Sequence, residues 1–146
     1  MTDAIIKLRE QTGAGVMECK RALDEAKGNI NGAVKIIFER GLARAEKKQG
    51  RSTGSGLIHA YVHNDRVGVL LDVRCETDFV VRSDLFRELV HNIALHIAGT
   101  DPSSVEELLA QPYVKDPSMT VEELLKQLIS KVGENMRIER FTRYEI

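Results

Sequence analysis

Tryptophan is absent from the 146-residue chain, cysteine occurs twice, proline three times, and aromatic residues make up only 5%. Neither charge sign dominates, since 21 Lys and Arg stand against 22 Asp and Glu. A near-neutral chain lacks the basic excess that a general nucleic-acid binder needs to displace counterions from phosphates. Cys19 and Cys75 lie too far apart in sequence for a metal or redox motif, and the expectation is two reduced, buried thiols. The start, MTDAIIKLRE, has no signal-peptide apolar region, and no run approaches the length that spans a bilayer. The expected location is therefore cytoplasmic, with no membrane partner. No GxxxxGKS/T phosphate loop occurs, so the chain should not hold a nucleotide in that manner. What the sequence does have is 42% hydrophobic residues, enough for a core.

Their spacing divides the chain. Residues 1–50 read as three short helices. Ile5 and Leu8 give the first an apolar side, and Gly13 ends it. Val16, Cys19, Ala22, Leu23 and Ala26 mark the second, which Gly28 closes; Asn29 or Asn31 caps a third carrying Ala33, Val34, Ile37 and Phe38. From Arg44 to Gly56 no apolar period survives, so this stretch reads as a helix tail running into a linker at 51–56. Residues 57–146 form an α+β unit. Leu57–His63 and Arg66–Cys75 alternate with a period of two about Asn64-Asp65, which predicts a hairpin. With those two residues as the loop, Val62 faces Val67, Ala60 faces Val69 and Ile58 faces Leu71, all on the buried side, leaving Leu57, His59, Tyr61 and Leu70 on the other. Glu76–Arg82 is a break. Then Phe86, Leu89, Val90, Ile93, Ala94 and Ile97 define a helix capped by Ser83 and stopped at Gly99. Asp101–Ser118 reads as connection with one or two helical turns at Val105–Ala110. Thr120 and Glu123 form a capping box for a helix that Gly133 ends. Met136–Ile146 predicts a third strand, whose apolar phase slips between Ile138 and Phe141 and so calls for a bulge or burial on both faces. The fold class is a three-helix unit followed by a three-stranded antiparallel sheet covered by helices on one face.

Few residues suggest chemistry. Glu76 and Asp78 could be an acid and a base, but nothing completes a catalytic set. His59 and His63 have helical metal spacing, yet on a strand they stand roughly 13 Å apart. Arg44, Lys47, Lys48 and Arg51 could touch RNA, which would make the chain an RNA- or ribosome-associated binding module; without interleaved aromatics, a solvated stretch is the stronger reading. Phe79 stands out in a polar segment. It either plugs the local core or is a wedge presented to a partner, and periodicity does not separate the two.

Two long segments carry a resemblance. LREQTGAGVMECKRALDEAKGNINGAV, Leu8–Val34, and RCETDFVVRSDLF, Arg74–Phe86, closely resemble the two signatures of the elongation factor Ts family. KVGENMRIERFTRYE, Lys131–Glu145, is similar as well, so the likeness covers nearly the whole chain. Longer members continue after the stretch resembling Leu95–Pro102 into more of a second core subdomain and a coiled coil. Here only Ser103–Ala110 bridge that gap, which looks like a compact form. The resemblance implies a non-enzymatic guanine nucleotide exchange factor for elongation factor Tu that needs no cofactor. It implies that residues 1–50 are a ubiquitin-associated-like domain docking on Tu through Val16, Met17 and Lys20. It also implies that Thr77, Asp78, Phe79 and Val80 push Phe79 into the partner and disturb its bound magnesium, with Asp78 assisting and Thr77 and Val80 shaping the turn. A chain with one core unit instead of two, and an apolar second sheet face, is expected to form a homodimer.

Overall fold

The computed structural model describes residues 2–146. Helices α1 (Thr2–Thr12), α2 (Val16–Glu25) and α3 (Ile30–Glu46) pack around Leu8, Cys19, Ala22, Leu23, Ala33 and Ile37. Gly13 and Gly28 take φ of +70° and +83°, the left-handed backbone that lets a helix stop without a Cβ clash. Asn29 caps α3, its Oδ1 accepting from the Gly32 N–H at 3.1 Å. This core has few large side chains, and α3 extends beyond it. Ala45 is buried with the residues of the sheet unit, the Gln127 amide donates to the Phe38 carbonyl at 3.0 Å, and Arg44 Nε donates to Ser130 Oγ at 2.8 Å.

The second unit contains β1 (Ser55–His63), β2 (Val67–Cys75), α4 (Asp78–Val81), α5 (Asp84–Thr100), α6 (Val105–Ala110), β3 (Pro112–Tyr113), β4 (Asp116–Thr120), α7 (Val121–Val132) and β5 (Met136–Glu145). The sheet order is β1-β2-β5, antiparallel throughout, as the α+β reading expects. Strand β1 starts at Ser55, two residues inside the stretch read as linker. Val69, Leu71, Val73 and Cys75 are buried beneath Phe86, Val90, Ile93 and Ile97 of α5 and Val121, Leu125 and Ile129 of α7. The Thr120–Glu123 capping box is formed, and Gly133 ends α7 with φ +85°. The expected slip in β5 is a bulge: Arg140 pairs with Asp72 and Ile138 with Val73, leaving Glu139 as the extra residue. Ile138 and Phe141 thereby reach the same face.

Several expectations from sequence are corrected. The hairpin pairs His63 with Val67, Tyr61 with Val69 and His59 with Leu71, one residue away from the predicted register. Asn64 and Asp65 do form the tight turn, with φ of +51° and +58°. Arg66 is an additional loop residue, held through the far end of the chain: Ile146 N–H donates to its carbonyl at 3.0 Å and its guanidinium donates to the Ile146 carbonyl at 2.8 Å. A slip of one exchanges the faces of β1. Leu57, His59 and Tyr61 turn toward the helices, whereas Ile58, Ala60 and Val62 join Leu70 on the outer face. Helix α5 also passes Gly99 and ends at Asp101, in left-handed backbone at φ +48°. Arg143 sets that end, its guanidinium donating to the Ala98 carbonyl at 2.9 Å and lying 3.5 Å from Asp101. Residues 76–82 are not simply a break, since α4 supplies one helical turn. The supposed connection at 101–118 contains the small β3–β4 pair.

Candidate functional site

The α2 surface follows directly from helical periodicity. Cys19, Ala22 and Leu23 face the small core, so Val16, Met17 and Lys20 emerge on another side, Val16 47% and Met17 59% exposed. Lys20 sits one turn beyond both and shares their surface. The arrangement offers an adaptable apolar patch with a cation at its edge.

The turn at residues 77–80 is built differently. Thr77 is the N-cap of α4, its hydroxyl accepting from the Val80 N–H at 3.4 Å. Val80 is buried and anchors the turn in the core, and Cys75, two residues before Thr77, lies fully buried at the end of β2. One residue away, Phe79 projects with 79% of its surface exposed. Asp78, first in α4, is exposed beside it. Phe79 therefore does not plug the core. The Cys75 thiol donates to the Thr77 carbonyl at 3.4 Å, and burial, with the Glu134 carboxylate nearby, pushes its pKa up and keeps it protonated.

Distant residues hold this turn. Glu134 Oε1 accepts from the N–H groups of Glu76 at 3.2 Å and Thr77 at 3.0 Å, while Oε2 accepts from the Thr77 hydroxyl at 2.7 Å. In return Glu76 Oε2 accepts from the Asn135 N–H at 2.9 Å, and Glu76 Oε1 pairs with Arg51 Nε at 2.9 Å. The Asn135 amide donates to the carbonyls of Gln49 at 3.2 Å and Arg51 at 2.8 Å. Glu76, considered above as a catalytic carboxylate, is thus committed to structural bonds. Glu134 and Asn135 were not picked out from sequence as site residues, and Arg51 was picked out only as a possible RNA contact. The available signal was that the backbone N–H groups at the strand end need acceptors, which does not say which carboxylate supplies them.

The other candidates come apart. His59 and His63 do not approach as a metal pair. His59 Nε2 lies 3.0 Å from His91 Nδ1, and His63 Nδ1 is 2.7 Å from the Tyr61 hydroxyl. Burial, and then the charge of His91, hold the His59 pKa below its ordinary value. Among the described residues no group of three or more His, Cys, Asp or Glu could hold a metal ion. Of the four cations at 44–51, Arg44 pairs with Glu18 at 3.0 Å and Arg51 with Glu76 at 2.9 Å. A cleft of about 590 Å³ runs between Thr12–Gly15, the first turns of α5 at Leu85 and Leu89, and Leu128 and Lys131 of α7; neither Glu76 nor Asp78 lines it. Among the described residues no helix is long and apolar enough to cross a membrane.

Comparison with known proteins adds the following. The family model for elongation factor TS matches residues 76–146, the part containing the turn with Glu134 and Asn135. The chain is similar along its whole length to elongation factor Ts of Alkaliphilus oremlandii, at 41% identity and covering 89% of that protein. Over 99% of its length it is 42% identical to elongation factor Ts of Thermotoga neapolitana, covering 95% of it, and 43% identical to that of Rubrobacter xylanophilus, covering 97%. The Alkaliphilus match runs over 192 positions against 146 residues here, so at least 46 positions within it have no residue in this chain, in keeping with a compact form.

Proposed function

The chain belongs to the elongation factor Ts family, a family of translation elongation factors, and on that premise we propose that it is a guanine nucleotide exchange factor for elongation factor Tu. Val16, Met17 and Lys20 dock the helical unit, residues 1–50, on Tu. The turn Thr77–Val80 of the unit 57–146 then presents Phe79 to the GTPase domain, where it and Asp78 disturb the bound Mg²⁺. GDP in such a GTPase is held by backbone amides around its phosphates and by Mg²⁺ bridging phosphate and protein. A protein that binds the nucleotide-free form better must weaken GDP, and by linkage GDP weakens the protein equally. Release and rebinding are accelerated alike, so an excess of GTP gives the cycle its direction. No covalent bond is made or broken, which is a non-enzymatic role, and its place is the cytoplasm. The observation that carries this reading is an almost fully exposed Phe79 on a capped turn whose next residue is buried. A large apolar side chain held out in water by such a turn suits insertion into a partner. Release of a fluorescent GDP from purified Tu, with and without the protein, tests it; no acceleration would refute the assignment.

We further propose that the working form is a homodimer through the outer sheet face. With the corrected register that face carries Ile58 at 63% exposure, Val62 at 62% and Leu70 at 49%, beside Ala60. Two such faces related by a two-fold axis would cover each other in one self-complementary contact. Light scattering should give twice the chain mass of 16.4 kDa, and Leu70→Lys should reduce it to a single chain. A monomeric wild-type protein that still accelerates GDP release would refute the dimer.

A further inference from the structure

We infer that Glu134 is a positioning residue for exchange, aiming Phe79 through the backbone of the turn rather than touching the partner itself; the inference rests on the exchange reading above. The turn would otherwise be poorly fixed. A helix of four residues gains almost nothing from its own hydrogen bonds, because nucleation consumes most of what one turn provides. Val80 and, through its thiol, Cys75 tie it to the core, but two such anchors leave it free to tilt about the line between them. Glu134 removes that freedom by taking three donors from two successive residues, Glu76 N–H, Thr77 N–H and Thr77 Oγ1–H. The third bond has a second consequence. With its proton directed at Glu134, the Thr77 hydroxyl turns a lone pair toward the Val80 N–H, and the cap of α4 depends on that orientation.

Glu134 is itself held at both ends. Gly133 fixes its backbone as the C-cap of α7, and Asn135, 6% exposed, locks the following peptide to Glu76 and to the carbonyls of Gln49 and Arg51. The bonds form a closed circuit: 76–77 to 134–135, 134–135 to 49–51, and Arg51 back to Glu76. Residues 49–51 lie just beyond α3, separated from it by Lys47 and Lys48. The turn that carries Phe79 is therefore fixed relative to the end of the helical unit, so docking through α2 delivers Phe79 in a set direction. Charge-assisted bonds suit this role because they restrict geometry as well as adding strength.

Release of fluorescent GDP from Tu, titrated with wild type, Phe79→Ala, Glu134→Ala, Glu134→Asp and Glu134→Gln, separates the possibilities. The maximal release rate should fall about ten- to a hundredfold for Glu134→Ala, the range expected when a misplaced group must still react. The concentration giving half-maximal release should stay within about twofold, because α2 is a separate contact. Glu134→Asp keeps the charge but is one methylene too short, and should resemble Glu134→Ala. Glu134→Gln keeps an oxygen for both backbone N–H groups but loses the acceptor for the Thr77 hydroxyl, and should recover part of the rate. All variants are compared below their melting transitions, and if Glu134→Ala does not fold, the Asp and Gln variants carry the comparison. A wild-type maximum for Glu134→Ala, or for Glu134→Asp in its place, overturns the inference. So does a change in half-maximal concentration alone, which would place Glu134 in docking. Glu134→Gln failing as badly as Glu134→Ala, with unchanged melting, also overturns it by pointing to direct action of the charge. An inactive wild type would instead sink the exchange reading, and a fully active Phe79→Ala the role of the ring; either would leave the hydrogen-bond circuit a purely structural feature.

Discussion

The two surfaces assigned to the partner are made by opposite means. On α2 a regular helix shows Val16, Met17 and Lys20 because its other side is buried, and nothing else is needed to place them. The turn at 77–80 has almost no regular structure of its own and owes its shape to Glu134, Glu76, Asn135 and Arg51, whose bonds to it and to one another span up to 84 positions of sequence. The helical surface stands on a small core of six buried side chains, Leu8, Cys19, Ala22, Leu23, Ala33 and Ile37. The turn is attached to the larger core of the sheet unit through Cys75 and Val80. A docking patch can tolerate a soft foundation, since it must only be sticky and adaptable. A side chain that has to enter its partner at one angle needs a stiff one.

The strongest way to break this comparison is Leu8→Ala. Leu8 is fully buried in the thin core, and truncating a buried leucine costs about 2–5 kcal/mol. The helical unit has little to spare, so amide exchange in α1 and α2 should accelerate while β2 and α5 stay protected. Half-maximal GDP release should then need far more protein. Equal loss of protection in both units would mean that they fold as one. Phe79→Ala comes next. Loss of an anchoring aromatic costs about 2 kcal/mol or more at an interface, roughly thirtyfold in release rate. Because the ring is exposed, stability should change by less than about 0.5 kcal/mol. A variant that melts much earlier would contradict the exposure seen here. Met17→Glu should be milder, raising the half-maximal concentration roughly tenfold for a loss of about 1–2 kcal/mol, with the maximal rate preserved. A reduced maximum instead would merge the two surfaces into one function.

The same contrast decides what could be read from the sequence. The α2 face, the α5 stripe, the capping box at Thr120 and the slip in β5 are all periodic or local signals, and each is found where the residues put it. The register of β1 was not legible because both of its faces are apolar: Leu57, His59 and Tyr61 compete with Ile58, Ala60 and Val62, and the choice falls to Arg66 and its bonds to Ile146. The end of α5 is fixed by Arg143, 45 positions from the Ala98 carbonyl it binds. In the candidate site the residues could be named from their resemblance to the family, which implies a projecting Phe79, but periodicity left open whether the ring faced inward or outward. Only the assembled turn, with Val80 buried beside it, separates plug from projecting ring.

Mild acid gives the smallest effect and separates the two regions without any substitution. His96 of α5 is fully buried in the sheet unit. Its Nδ1 accepts from the Val114 N–H at 3.2 Å, and its Nε2 bonds to Gln111 Oε1 at 2.8 Å, where it must be the donor. The ring is therefore neutral with its proton on Nε2, and a second proton on Nδ1 would face a donor. Burial accordingly lowers the His96 pKa, outweighing the opposing effect of Gln111. The unfolded chain takes up this proton near pH 6.5, an ordinary histidine value, and the folded chain only at lower pH. Stability from this group is thus complete above about pH 6.5 and is lost as pH falls from there toward the folded pKa. The slope can reach at most about 1.4 kcal/mol per pH unit. His59, also held low by burial and then by the charge of His91, adds a change of the same sign. No histidine lies in the small core of α1–α3. Between pH 7 and 5.5, amide exchange should therefore accelerate around α5 and β3 while protection in α2 holds. His96→Gln should remove the part of the slope due to His96, leaving the part due to His59. A slope unchanged by that substitution would assign the acid sensitivity to other groups. Parallel loss of protection in α2 would show that the helical unit takes its stability from the sheet unit it leans on.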